Sequence, residues 1–162
     1  PTTDRIKETL FNMIQQDVPD CYFLDLFAGS GQIGLEAVSR GAAKAFFIEN
    51  AKNAAACIQD NIRFTKFEDA CTLLQTDVIS GLRTLEGKYR FDLIFMDPPY
   101  KKELEKEVLT FLSHSSLVKP SAKIIVEAAL ETDFSYAEGL GYTVLKEKCY
   151  KTNKHVFLQK EK

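Results

Sequence analysis

The sequence predicts an α/β fold: a mostly parallel sheet of seven strands, the last pair closing it with an antiparallel strand, and helices on both faces. Short apolar runs alternate with amphipathic stretches along most of the chain, the pattern of strands joined by crossover helices. Phe91-Asp92-Leu93-Ile94-Phe95-Met96 is almost continuously apolar, as expected of a strand buried on both faces. A glycine-rich turn, Gly29–Gly34, falls between the first apolar run and the helical stretch that follows it.

Taken in order, Thr3 can cap a helix in which Ile6, Leu10, Met13 and Ile14 repeat at helical spacing, ended by Val18-Pro19-Asp20. Cys21–Leu26 reads as the first strand and Gly34–Arg40 as a helix. Lys44–Glu49 is a second strand, followed by a helix over Lys52–Phe64 with Ala55, Ile58 and Ile62 on one face. Cys71–Gln75 is a weaker third strand ending at Thr76-Asp77, and Phe91–Met96 is the fourth. Lys102–Leu112 predicts a helix with Leu104, Val108, Leu109 and Leu112 aligned. Ala122–Val126 is a fifth strand, and Tyr142–Tyr150 with His155–Gln159 forms a closing pair around a Lys151–Lys154 turn.

The 162 residues predict one domain, 1–162, able to bury its own core. Apolar residues at 45% and charged residues at 27% argue against wholesale disorder. The longest uncharged stretch, Val108–Val118, falls well short of the roughly 20 apolar residues that a membrane helix needs, and no secretory signal opens the chain. Cys21, Cys57, Cys71 and Cys149 are widely spaced without a C-x-x-C pair, which reads as reduced thiols in the cytoplasm. His114 and His155 form no ligand cluster, so no metal is expected.

Net charge is −2, but the last twenty residues hold six lysines and two glutamates, so residues 1–142 carry −6. A protein that grips naked nucleic acid by charge alone is basic throughout. An acidic body with a basic tail implies a more local contact. Tyr142–Tyr150 running parallel to the other strands, with His155–Gln159 returning, would bring the turn out at the carboxyl edge of the sheet. Lys151, Lys154 and His155 would then flank that edge as a basic rim that meets approaching phosphates first.

Chemistry concentrates in two segments. Gly29-Ser30-Gly31-Gln32-Ile33-Gly34 is a complete G-x-G-x-x-G, whose glycines allow a tight turn and close approach of a ligand to a helix N-terminus. Glu49, at the end of the next strand, is placed to accept hydrogen bonds from a ribose diol. These features fit NAD, FAD or S-adenosylmethionine equally. Asp25, four residues before Gly29, is awkward beside a pyrophosphate but suits a ligand with a cationic amino-acid end. Asp97-Pro98-Pro99-Tyr100 closes the fourth strand. A carboxylate, a proline-fixed carbonyl and an aromatic ring together suit a planar base bearing an exocyclic amine.

Asp25–Gly31 with Asp97–Tyr100 resembles motifs I and IV of class I S-adenosylmethionine-dependent amino-methyltransferases, a Rossmann-like fold. More narrowly, Pro1-Thr2-Thr3-Asp4-Arg5 with Glu8-Thr9-Leu10-Phe11-Asn12, Asp25–Gly31 with Gly34-Leu35-Glu36-Ala37, and Phe95–Tyr100 resemble the bacterial 16S rRNA (guanine-N2) methyltransferase family, over nearly the whole chain. The resemblance implies S-adenosylmethionine as cofactor. Asp25 and the Gly29-Ser30-Gly31 backbone would hold its methionine end, with Phe27 alongside and Arg5 as counter-charge to the carboxylate. Glu49 would bind the ribose and Asp77 the adenine amine. Asp97, Pro98 and Tyr100 would hold the guanine and carry the catalysis. The implied partner is 16S rRNA within an assembling small subunit. Members of that family carry a basic β-hairpin ahead of the segment matching Pro1-Thr2-Thr3, so one is expected upstream of residue 1.

Other readings share parts of this pattern. D-P-P-Y also occurs in DNA adenine-N6 and other nucleobase methyltransferases, which usually add a target-recognition region that 162 residues leave no room for. A nicotinamide-dependent oxidoreductase shares the glycine motif but accounts for neither Asp25 nor Asp97–Tyr100. A silent cofactor-binding module would have no use for an intact Asp97–Tyr100 segment.

Overall fold

The computed structural model describes residues 3–100 and 102–161. Helix α1 spans Asp4–Ile14, and Thr3 caps it as the sequence predicts, its hydroxyl accepting from the Ile6 N–H at 3.2 Å. Strand β1 (Tyr22–Leu26), helix α2 (Gln32–Ser39), strand β2 (Lys44–Ile48), helix α3 (Lys52–Thr65) and strand β3 (Cys71–Leu74) follow. Helix α4 (Val78–Leu85), strand β4 (Phe91–Met96), helix α5 (Leu104–Ser113) and strand β5 (Val118–Ala129) continue the alternation. Strands β6 (Tyr142–Cys149) and β7 (Asn153–Lys160) end it.

The sheet order is β3-β2-β1-β4-β5-β7-β6. The first five are parallel neighbours, β7 is antiparallel to β5, and β6 is antiparallel to β7. Strand β6 therefore points with the parallel set, as predicted. Successive residues along each strand serve opposite faces. Leu24, Leu26, Ile94 and Met96 pack with Leu82 and Leu85 of α4 and Val108, Leu109 and Leu112 of α5. Phe23, Leu93 and Phe95 pack on the other face with Leu10, Phe11 and Ile14 of α1, Ile33 of α2, and Ile58 of α3.

Three elements differ from the sequence expectation. Helix α4 was not foreseen. Strand β5 begins at Val118, four residues ahead of Ala122, because Val118 already pairs with Phe91; Pro120 and the left-handed Ser121 (φ 71°) then interrupt the pairing, which resumes at Lys123. The closing turn is also tighter than predicted. Tyr150 N–H donates to the Asn153 carbonyl at 2.8 Å, so β7 starts at Asn153 and Lys154 and His155 are strand residues.

That last difference removes two residues from the predicted basic rim. Strand β7 lies inside the sheet between β5 and β6, and its residues 153–158 are buried by what packs on the two faces. His155 is 0% exposed. Lys154 is 6% exposed, its Nζ donating to the Thr132 carbonyl and pairing with Glu147, each at 2.8 Å. Neither can meet an RNA phosphate. The turn does leave at the carboxyl edge, where Ala129 pairs with Asn153, and Lys151 is exposed there.

Candidate active site

Connections from β1 lead to β2 on one side, while β4 pairs with β1 on the other, so the chain reverses its winding between β1 and β4. Ligands of open α/β sheets bind in the crevice outside the carboxyl ends of strands at such a point. The glycine loop leaves β1 there, and Asp97–Tyr100 leaves β4.

Phe27, the residue after β1, has φ 57°, a left-handed conformation unusual for an aromatic residue, which turns the chain into the loop. Gly29 (φ 60°) and Gly31 (φ 80°) continue it, and Gly31 caps α2. Gly34 packs so closely on Phe47 that a Cβ would overlap the ring. Two carboxylates hold this loop. Asp25, 2% exposed, accepts from Gly34 N–H at 3.0 Å. Burial raises its pKa well above the ordinary range, against the lowering effect of that hydrogen bond. Glu49 accepts from Gly29 N–H at 2.7 Å through one oxygen and from Ala51 N–H at 2.9 Å through the other.

Two cavities open onto this crevice. One, of about 430 Å³, has walls from Phe27, Val78, Ile79, Leu104 and Val108, with Glu49 and Asp77 among its polar groups. Asp77 also caps α4, accepting from Ser80 N–H at 3.0 Å, and hydrogen bonds from Ser80 hold its carboxyl below the usual range. The second, of about 470 Å³, is lined by Gly29, Asp97, Pro98, Tyr100 and Glu127. Phe27, Glu49 and Pro99 belong to both. Burial, then the Glu127 charge, push the Asp97 carboxyl up to about 7. Tyr100 is 45% exposed, a ring at the mouth of the second cavity.

The structure thus brings together Phe27, Gly29, Glu49, Asp77, Asp97, Pro98 and Tyr100. Asp25, Ser30 and Gly31 line neither cavity: Asp25 shapes the loop from beneath, and Ser30 accepts from Asn61 through its carbonyl at 3.0 Å. Arg5 is exposed in the first turn of α1 and also lines neither. Sequence reading missed the α4 wall, Val78 and Ile79. Its signal was present in Asp77 as a cap and in Val78, Leu82 and Leu85 at helical spacing. Among the described residues no cluster of His, Cys, Asp or Glu could hold a metal ion, and no helix is long and apolar enough to cross a membrane.

Comparison with known proteins fits this arrangement. The family model described as conserved hypothetical protein 95 matches residues 1–159. The chain belongs to this family. Ribosomal RNA small subunit methyltransferase D of Haemophilus influenzae is 37% identical over 153 residues, covering 91% of this chain and 76% of that protein. The Escherichia coli K12 protein of the same name is 35% identical over 131 residues, covering 81% of this chain and 65% of its own length. A solved structure of a conserved hypothetical protein from Streptococcus pyogenes superposes with a TM-score of 0.86 at 35% identity, covering 96% of this chain and 95% of that one. This member of the conserved hypothetical protein 95 family therefore shares both sequence and fold with proteins named methyltransferases.

Proposed function

We propose that this protein is an S-adenosylmethionine-dependent methyltransferase acting in the cytoplasm on the exocyclic N2 amine of a guanine in 16S ribosomal RNA, within an assembling small subunit. The observation that carries the reading is the pair of cavities sharing Phe27, Glu49 and Pro99 as a common wall. A methyl donor in one and a base in the other would meet at that wall. The names of the similar proteins support the RNA substrate.

The residues fit the cofactor. The first cavity has apolar walls for an adenine ring, with Asp77 and Glu49 as acceptors for its amine and for ribose hydroxyls. Bound S-adenosylmethionine supplies a methyl group on a sulfonium. Gly29, in the shared region, lets the backbone approach the methionine end.

The chain's own groups perform the rest. The N2 lone pair of guanine is delocalised into its ring, so the amine is a weak nucleophile. Asp97 and the Pro98 carbonyl would accept its two N–H bonds and orient the nitrogen toward the shared wall. The gain comes from proximity and preorganised dipoles, and the proton that the nitrogen gives up on accepting the methyl group would pass to the Asp97 carboxylate. Tyr100 would stack on a base taken out of its helix and replace the lost neighbours. Among the predicted phosphate contacts, exposed Lys151 keeps that role.

Incubating the protein and methyl-labelled S-adenosylmethionine with unmodified small subunits, naked 16S rRNA and duplex DNA tests this reading. Label at N2 of one guanine of the ribosomal RNA is the expected result. Label on DNA adenine, or on no nucleic acid, would overturn it.

A further inference from the structure

Glu127 is a buried carboxylate that the reaction outlined above does not use, and it lines the substrate cavity beside Asp97. Its placement follows from strand register. Met96 of β4 pairs with Val126 of β5, so Asp97 and Glu127 leave that pair side by side. Glu127 in turn pairs with His155 of β7. Alternation along the strands puts Glu127 and His155 on the face of Ile125 and Phe157, which α1 covers.

His155 holds the carboxylate. Its Nε2 lies 2.8 Å from Glu127 Oε1, and the two side chains are 0% and 3% exposed. The imidazole is fixed edge-on between Phe95 and Tyr150, with ring centroids at 5.8 and 5.5 Å. Its Nδ1 is buried with no hydrogen-bond partner among the described residues. An ionised carboxylate oxygen only accepts, so the Nε2–H of His155 is the donor to Glu127.

A buried carboxylate is costly, and a core pair of this kind is readily replaced by apolar residues without loss of stability. What this pair does provide is an acceptor of fixed orientation on the cavity wall, next to the acceptors Asp97 and Pro98. We infer that Glu127, aligned by His155, accepts the N1–H of the target base and makes the pocket select guanine.

The inference rests on the guanine-N2 reading and deepens it. Guanine is the only common base in which a ring N–H adjoins an exocyclic amine. Adenine and cytosine place a ring lone pair next to theirs, which would face the Glu127 oxygen and be repelled. Uracil has the ring N–H but no amine. A site built to hydrogen-bond one edge rejects the analogue lacking it far more strongly than a hydrophobic pocket can. His155 is a positioning residue and acts only through Glu127.

The test replaces the guanine that wild-type protein labels in small subunits with 2-aminopurine, by ligation of the ribosomal RNA. This analogue keeps the N2 amine but carries a lone pair at N1. Methyl transfer to the two substrates is compared for wild type and Glu127→Gln, whose amide can donate. The 6-oxygen that 2-aminopurine also lacks is the same difference for both proteins and cancels in the comparison. Transfer to guanine should fall about 10–100-fold in the variant, as for loss of a charged hydrogen-bond partner, while transfer to 2-aminopurine changes much less. Calorimetric affinity for S-adenosylmethionine should be unchanged, which reports an intact fold. If Glu127→Gln fails that check, Glu127→Asp, which withdraws the acceptor by one methylene, should narrow the same ratio to a smaller degree. Equal losses on both substrates, or no loss on guanine, would overturn the inference. Failure of the wild-type protein to label any guanine N2 would instead overturn the underlying reading.

Discussion

The Asp25 carboxylate accepts a hydrogen bond from the Gly34 N–H at 3.0 Å, and so ties the end of β1 to the first turn of α2 beneath the glycine loop. Burial raises the pKa of this acid well above its ordinary value, so the folded state holds the proton more tightly than the unfolded chain does. The sign follows: ionising Asp25 costs stability, and that cost grows as pH rises above the normal carboxylate range. Asp25→Asn keeps an acceptor for Gly34 and buries no charge. Its melting temperature should therefore equal or exceed that of wild type at pH 8, with the advantage shrinking on acidification. Asp25→Ala leaves a buried N–H unpaired and should be less stable by about 1–3 kcal/mol. Thermal unfolding across pH measures both, and an Asn variant less stable than the Ala variant would show that the hydrogen bond is not what Asp25 provides.

Asp97 gives a pH dependence of activity. Its carboxyl, pushed up to about 7 by burial and by Glu127, is half protonated near neutrality in the free protein. The ionised form is the better acceptor for an amine, so kcat/KM for methyl transfer should rise with pH through about 7 and then level. Glu127→Gln removes the neighbouring charge and should move the midpoint to lower pH. Asp97→Ala should abolish transfer while leaving cofactor affinity within about twofold, because Asp97 lines only the second cavity.

The glycine loop, β4 and its Asp97–Tyr100 terminus were legible in the sequence because their signals are local: a strand, a turn and a helix within a dozen residues. What was not legible depends on distant contacts. Helix α4 is eight residues long and contains Gly81, a poor helix former. A Cβ at Gly81 would come within 2.7 Å of Ile48 Cδ1, so close packing on β2 overrides propensity there. The Glu127–His155 pair joins residues 28 positions apart through a strand inserted out of sequence order. Lys154 is likewise a buried residue through a distant contact, its Nζ held by the Thr132 carbonyl 22 positions away.

Glu49 joins the two cavities and also fixes the loop, holding Gly29 N–H at 2.7 Å. Glu49→Gln preserves an acceptor oxygen but loses charge toward a ribose diol. Calorimetry should show S-adenosylmethionine bound more weakly by about 1–2 kcal/mol for Gln and up to about 3 for Ala. Unchanged affinity in Glu49→Ala would remove it from the cofactor site.

Tyr100 is exposed and lines only the second cavity, so its ring face is open for the stacking proposed above. Tyr100→Phe should keep most activity and Tyr100→Ala should raise KM for small subunits by about 10-fold or more, the size of one lost stacking contact. Equal effects of the two variants would assign the role to the hydroxyl.

Lys151 and Lys154, three residues apart, should behave as opposites. Lys154 Nζ is nearly buried between the Thr132 carbonyl and Glu147, over the Phe134 ring at 5.6 Å. Reversing its charge would place a carboxylate beside Glu147 and leave the Thr132 carbonyl without its donor. Lys154→Glu should therefore lower stability by about 1–3 kcal/mol, the cost of leaving a buried carbonyl without its donor and setting two carboxylates together. Lys151→Glu lies on the exposed turn and should leave the melting temperature unchanged. Its effect should fall instead on the substrate: weaker binding of small subunits and a shallower dependence on salt, as expected if the proposed phosphate contact is lost. Unfolding curves and a salt titration of methyl transfer, run on the two variants in parallel, separate these roles. A Lys151→Glu protein that methylates normally at every salt concentration would leave the turn as a solvated corner of the sheet.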